Sequence, residues 1–344
     1  MNSTNLTLPD LGWSHFFEAQ LAPNEIGLGQ AVRVTEVQRG VALVVGVNGV
    51  SQISTDRLEP LAVGDWLVLG EALPRLLQRS SAISRKAAGS AHTVQLIAAN
   101  VTAMFIVSSC NSDFNIARLE RYLVLARQAG VVPVMVLTKA DICADPSEYV
   151  DQARTLDPLL VIEALDARSE TTFERLRPWC GRGETIVLAG TSGVGKSTLA
   201  NLLCGISQEV RGIREDDARG RHTTTARSMH RLSGGGWLID TPGMRELKLA
   251  DASDGIDAVF GDILELGTQC HFRNCSHESE PGCAVQAAIA GGSLAERRLE
   301  SWRKLAREDR FHSETLAQSH ARSKTFGKMH RKVGEHKELG KWGK

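Results

Sequence analysis

The sequence predicts a multidomain chain in three parts: a small all-β barrel, an α/β domain on a parallel sheet, and a small C-terminal metal-binding region with helices. Three observations predict it. Short β-rich runs separated by Gly-bearing turns fill residues 30–69. From about residue 100, apolar strand runs alternate with amphipathic stretches, and one strand leads straight into a glycine-rich loop. After residue 261, Cys270, Cys275, His277 and Cys283 fall close together. The length of 344 residues agrees with this division, since domains average roughly 150 residues.

Residues 1–30 carry few signals and are expected to form a loose lead-in. Over 31–98, AVRVTEV, VALVVGV and DWLVL are separated by turns at Arg39-Gly40, Asn48-Gly49 and Val63-Gly64-Asp65. Strands at this spacing predict a small barrel or curled sheet. Arg75, Arg79, Arg85 and Lys86 are expected to form its basic lip. Over 99–260, AMFIVSS reads as a buried strand and IARLERYLVLARQAG as a helix closed by Gly130. VVPVMVL is a second strand, ending at Thr138. SEYVDQARTL and TTFERLRPW read as helices on either side of the strand PLLVIEAL. TIVLAG enters the glycine loop, and GGWLIDTPG closes the series. Strands alternating with helices imply a parallel sheet covered on both faces. Residues 261–344 hold the Cys/His cluster, the helical stretch SLAERRLESWRKLARE and a basic tail.

Composition excludes some functions. The chain is 42% hydrophobic and 23% charged, ordinary globular usage, so wholesale disorder is excluded. Forty basic and forty acidic residues give no net charge, which excludes a uniformly basic nucleic-acid coat. The tail is the exception: Arg322, Lys324, Lys328, Arg331, Lys332, Lys337, Lys341 and Lys344 face only Glu335 and Glu338. No run approaches the 18 or so apolar residues of a membrane span. The start, MNSTNLTLPDLGW, lacks the pattern of a secretory leader. A cytoplasmic protein acting without a membrane is expected. Cys110, Cys143, Cys180 and Cys204 are scattered and read as buried thiols.

Gly190-Thr191-Ser192-Gly193-Val194-Gly195-Lys196-Ser197 matches the phosphate loop G-x4-G-K-[ST], and Thr198 continues into the helix behind it. Glycines let backbone N–H groups fold around phosphates. Lys196 is placed for the β- and γ-phosphate oxygens, and the Ser197 hydroxyl for Mg²⁺. Asp240-Thr241-Pro242-Gly243 ends a later strand, so Asp240 would hold Mg²⁺ and the Gly243 N–H would meet a γ-phosphate. Gly220-Arg221-His222-Thr223-Thr224-Thr225 lies between them. Thr224 or Thr225 is the candidate switch threonine.

Guanine selectivity needs a carboxylate that accepts from N1–H and the 2-amino group. Thr138-Lys139-Ala140-Asp141 offers Asp141 for the base edge and the Lys139 stem for the ring. It resembles the NKxD motif with Thr for Asn, and a hydroxyl makes fewer hydrogen bonds to the phosphate loop than an amide does. Ala164-Leu165 could supply a backbone N–H to the guanine oxygen. The base motif precedes the phosphate loop, the reverse of the usual order. Circular permutation would assemble the same sheet. Cys270-x4-Cys275-x-His277-x5-Cys283 supplies three thiolates and an imidazole, which suits structural, tetrahedral Zn²⁺. Metal would also provide the folding free energy of this short polar segment.

Together GTSGVGKS, GRHTTT, DTPG and the Cys/His cluster, in this order behind a β-rich segment, resemble the ribosome small subunit-dependent GTPase A family. The resemblance runs from about Ala31 to near residue 310. It implies an N-terminal OB-fold, a circularly permuted GTPase domain and a C-terminal zinc domain. It also implies GTP hydrolysis stimulated by the small ribosomal subunit, in late maturation of that subunit. The expected partners are that subunit with its rRNA, GTP and GDP, and other assembly factors, with the chain itself a monomer. The chain departs from the family pattern at Thr138, and at Thr102 in Ala99-Asn100-Val101-Thr102, where the family has Asp.

Met244 follows DTPG, where many GTPases place a water-orienting glutamine, and Met cannot orient water by hydrogen bonding. Intrinsic hydrolysis should be slow, and His222 is the candidate that helps on the ribosome. Two other readings are a P-loop ATPase or small-molecule kinase, and a non-enzymatic rRNA-binding scaffold.

Overall fold

The structure, a computed structural model, describes residues 6–25, 30–70, 73–86, 94–205, 227–240 and 251–313. Arg221, His222, Thr224, Thr225, Gly243, Met244 and the basic tail lie outside the described residues.

The described N-terminal segment holds a 3-10 turn, Pro9–Leu11, and a short α-helix, His15–Glu18 (α1). The β-rich part comprises Ala31–Gln38 (β1), Val41–Gly46 (β2), Gly49–Ser54 (β3), Trp66–Val68 (β4), Arg75–Leu76 (β5), Ala82–Lys86 (β6) and Val94–Ala99 (β7). β1 pairs with β2 and β4, β2 with β3, β4 with β5 and β6 with β7, all antiparallel. Alternation along these strands buries two faces. Val32, Val34, Ala42, Val44 and Leu67 pack on one side. Ala31, Val45, Trp66 and Val68 face the other, where Leu11 and Phe17 cover them.

Residues 1–30 were expected to be a loose lead-in, and the described part of them is not loose. Leu11 is fully buried, and the Trp13 ring meets Trp66 edge-on at 4.8 Å. Asp10 O accepts from Trp237 Nε1 at 2.8 Å, and the Asp10 carboxylate pairs with Arg182 at 2.6 Å. The apolar residues here have no regular period because they cover the outside of a sheet instead of forming a long element. Arg33 fastens the junction. Its guanidinium is buried and donates to Leu11 O, Gly64 O (3.3 Å) and Asn100 O (3.1 Å). Burial draws its pKa down to about 9, so it stays charged at neutral pH.

The α/β part runs Ala103–Ser109 (β8), Ile116–Gln128 (α2), Val132–Thr138 (β9), Ser147–Arg154 (α3), Val161–Ala164 (β10), Glu170–Leu176 (α4), Thr185–Ala189 (β11), Lys196–Leu203 (α5), Arg227–Arg231 (β12) and Trp237–Asp240 (β13). Sheet order is β10-β9-β8-β11-β13-β12, parallel up to β13, with β12 antiparallel. β8 is buried throughout, as a central parallel strand must be. Leu119, Tyr122, Leu123 and Ala126 of α2 cover one face. Leu176, Leu199 and Leu203 cover the other.

The sheet does not stop at β12. Glu36 and Val37 of β1 pair with Ser228 and Arg227, so one eleven-stranded sheet spans both parts. The sequence suggested two separate sheets, because RSMHR has no apolar run to announce a strand that bridges them.

Ser253–Val259 (α6), Gly261–Thr268 (α7), Ala284–Ala290 (α8) and Glu296–Ser313 (α9) complete the described chain. Buried Glu120 on α2 faces Arg297 (3.0 Å) and Arg298 (3.5 Å) of α9. Arg121 and Glu308 form a two-bond pair at 2.5 and 2.6 Å. Among the described residues no helix is long and apolar enough to cross a membrane.

Candidate functional site

The phosphate loop sits where β11 ends and α5 begins. Gly190 has φ 144°, and a Cβ there would lie 2.3 Å from Val107 O, so only glycine lets β11 turn away beside β8. Gly195, at φ 94°, caps α5 and passes over Thr138. Lys196, Ser197 and Thr198 form the first turn of α5, whose exposed N–H groups favour an anion. Lys196 is largely buried and its Nζ donates back to Thr191 O. That contact folds the ammonium over the loop that holds Ser192, Gly193 and Val194.

The base motif lies at the same edge of the sheet. Thr138 ends β9 opposite Ser109 of β8, and β8 runs beside β11. The Thr138 hydroxyl is fully buried, 2.6 Å from Val194 O and 3.0 Å from Ser108 O. The departure from asparagine therefore keeps a bond to the phosphate loop. One proton faces two carbonyls, and the shorter contact takes it. Lys139 has φ 60° and Ala140 N–H donates to Leu165 O at 3.3 Å. This places the turn bearing Asp141 against the exit of β10. Asp141 Oδ2 accepts from Arg168 Nη2 at 2.5 Å.

Of the Ala164-Leu165 pair expected to serve the guanine oxygen, Leu165 is excluded. Its N–H is bonded to Leu137 O at 2.9 Å as the last rung of the strand pair. Asp240 ends β13, the strand beside β11, with Ile239 level with Val187, so β13 ends at the same edge of the sheet as the strand that enters the loop. Ser197 and Asp240 are oxygen donors, the type that hard Mg²⁺ takes. Thr138, Asp141, Lys196 and Asp240 thus share one edge despite their sequence order.

The metal candidate is a separate centre. The ligand atoms of Cys270, Cys275, His277 and Cys283 all lie within 4.8 Å of one another. His277 Nδ1 is 3.6 Å from Cys270 Sγ and 3.5 Å from Cys283 Sγ, and the two sulfurs are 3.9 Å apart. Bond lengths of about 2.3 Å to sulfur and 2.0–2.1 Å to nitrogen give tetrahedral edges of about 3.8 Å (S···S) and 3.6 Å (S···N). The donors therefore fit a tetrahedral ion through Nδ1. His277 O accepts from Gln286 Nε2 at 2.5 Å and from Arg303 Nη2, which fixes the turn carrying the ring.

Two arginines of the expected basic lip are paired with carboxylates, and the side chains of Arg85 and Lys86 lie outside the described residues. Arg75 is bonded to Glu25 (2.5 Å) and Gln20 O (3.1 Å). Arg79 is bonded to Asp65 at 2.7 and 2.8 Å, with Asp65 fully buried. Of the two, Arg79 is partly buried, whereas Arg75 stays exposed with its side chain 45% accessible. The sequence reading missed Arg168. An arginine in the loop after PLLVIEAL, already matched to the base, was the signal available. It also missed Arg118, whose Nη1 reaches Thr191 Oγ1 at 3.4 Å.

Comparison with known proteins adds the following. The profile described as "RsgA GTPase" matches residues 76–250. The Small ribosomal subunit biogenesis GTPase RsgA 2 of Vibrio parahaemolyticus is 48% identical over 335 residues, covering 96% of this chain and 94% of that one. The Small ribosomal subunit biogenesis GTPase RsgA of Mesorhizobium japonicum is 46% identical over 322 residues, covering 90% and 92%. Among solved structures, YjeQ from Thermotoga maritima is similar in fold, with a TM-score of 0.57 at 23% identity over 80% of this chain and 96% of that one. YloQ, a circularly permuted GTPase, gives 0.55 at 21% identity over 83% and 96%.

Proposed function

This chain belongs to the RsgA GTPase family, and from that premise we propose that it is a GTP hydrolase that binds the small ribosomal subunit and acts in its late maturation, with turnover stimulated by the subunit. One observation carries the reading to this chain's own residues. The Thr138 hydroxyl meets Val194 O at 2.6 Å, which couples a guanine-type motif to a phosphate loop.

In this reading Asp141 accepts from N1–H and the 2-amino group, with the Lys139 stem over the ring. The backbone of Gly190–Gly195 surrounds the phosphates, and Lys196 neutralises the β- and γ-oxygens. Ser197 and Asp240 hold Mg²⁺, which supplies positive charge to the triphosphate. Thr224 or Thr225 and Gly243 respond to the γ-phosphate, and His222 helps the attacking water. The β-rich part is read as an OB-fold that meets rRNA together with the basic stretch Arg75–Lys86 and the basic tail. The part boundaries are those of the sequence: 31–98, 99–260 and 261–344. The Cys/His centre is read as one structural Zn²⁺, and the protein as a cytoplasmic monomer.

The test is GTP turnover measured with purified small subunits, large subunits and neither. Strong stimulation by small subunits alone is expected. Equal rates in all three would support a nucleotide-stabilised scaffold instead. Asp141→Asn should lose GTP and gain xanthosine triphosphate, and an ATPase would show no such exchange. His222→Ala should remove the stimulated part of the rate.

A further inference from the structure

We propose that Arg168 is a specificity-determining residue that donates a hydrogen bond to the guanine O6, beside the Asp141 carboxylate. The inference rests on the assignment of Asp141 to the base edge. Guanine presents three groups in a row there: the 2-amino group and N1–H donate, and O6 accepts. A carboxylate satisfies the first two and repels the third. A guanine site therefore needs a donor directly beside the carboxylate.

Of the backbone pair Ala164-Leu165 that the sequence suggested for this oxygen, the Leu165 donor is occupied. Leu165 N–H is bonded to Leu137 O. Arg168 stands where the gap is. Its Nη2 is 2.5 Å from Asp141 Oδ2, and its Nε is 3.2 Å from Asp166 Oδ1. Its own backbone N–H holds that same Asp166 oxygen at 2.9 Å. The guanidinium is thus fixed at two points and spans the loops after β9 and β10. These contacts use two of its five N–H protons. The side chain is 60% exposed, so the remaining protons can meet a ligand arriving from solvent. Arginine donating to guanine O6 is also the commonest base-specific contact that proteins make to guanine in DNA.

The experiment compares equilibrium binding of GDP and 6-thio-GDP, in which sulfur replaces O6 and accepts hydrogen bonds poorly. The full-length protein, Arg168→Ala, Arg168→Lys and Asp141→Asn are each titrated, the last also with xanthosine diphosphate. The parent protein should prefer GDP over 6-thio-GDP by about tenfold. Arg168→Ala should lose about tenfold in GDP affinity and bind the two nucleotides alike, and Arg168→Lys should keep part of the preference. If Arg168 only braced Asp141, both nucleotides would weaken by one factor and the ratio would persist, which overturns the proposal. Unchanged GDP affinity in Arg168→Ala overturns it as well. Asp141→Asn separates the two levels. If it gains no xanthosine diphosphate, the base assignment fails. If it gains it while Arg168→Ala keeps the parent ratio, only the role of Arg168 fails.

Discussion

Thr138→Val exchanges a hydroxyl for a methyl group at a fully buried position. It deletes the bond to Val194 O at 2.6 Å and the weaker approach to Ser108 O at 3.0 Å. A buried hydrogen bond contributes about 1 kcal/mol net, and a carbonyl left without a donor costs about 1–3 kcal/mol. The nucleotide-free protein should therefore lose about 1–3 kcal/mol. At about 2.1 cal/mol/K of unfolding entropy per residue, a chain of 344 residues shifts by about 1.4 °C per kcal/mol, so Tm should fall by about 1–4 °C. Val194 and Gly195 belong to the loop that surrounds the phosphates. Any of that loss regained when nucleotide reorders the loop should appear as weaker GDP binding, tenfold for each 1.4 kcal/mol or so. Thermal melting without nucleotide and titration with fluorescent GDP measure the two effects. A valine variant with the parent's Tm and Kd would refute the reasoning. Thr138→Asn is the converse arm. Its amide has two protons, one for each carbonyl, so it should hold GDP at least as tightly as the parent.

Three further outcomes are expected. Elemental analysis should find one zinc per chain, lost in Cys283→Ser with a lower Tm; a serine variant that keeps its zinc would show that the four donors are not a ligand set. The Asp10 carboxyl is held down to about 2, chiefly by the Thr7 hydroxyl and N–H, with Arg182 adding to it against partial burial. A folded pKa below the unfolded value of about 3.9 means a contribution present above about pH 4 and lost as pH falls toward 2. Asp10→Asn should therefore be less stable than the parent at pH 6, with urea midpoints converging near pH 2; a constant gap would contradict the assignment. Glu120→Ala leaves Arg297 and Arg298 without their shared buried carboxylate. Arg298 keeps its pair with Asp262 and Arg297 is partly exposed, so the variant should lose about 1.5–3 kcal/mol in urea unfolding, and an unchanged midpoint would show that the pair carries no weight.

What the sequence made legible was chemistry at short, fixed spacing. The phosphate loop, Thr138–Asp141, Asp240 and the four metal donors are each defined by neighbours within about a dozen positions, and the local backbone enforces their geometry. Strand and helix periods were equally local, so the parallel sheet and α2 could be read directly. Contacts between distant positions were not legible. Arg33 meets Leu11, Gly64 and Asn100, none of which marks itself as the partner of a buried cation. Arg168 and Asp141 are 27 residues apart, and each alone looks like ordinary surface charge. The apolar residues of the N-terminal segment were visible, but the face they cover is built around Trp66.

The pairing of β1 with β12 has a mechanical consequence. A β-ladder cannot slide by one residue without turning every side chain to the opposite face. The first residue of β12, Arg227, is also pinned from the side, its Nη1 donating to Leu96 O at 2.6 Å. The polypeptide enters β12 directly from residues 206–226. Any displacement of Arg227 is therefore shared with β1, to which β2 and β4 are themselves paired.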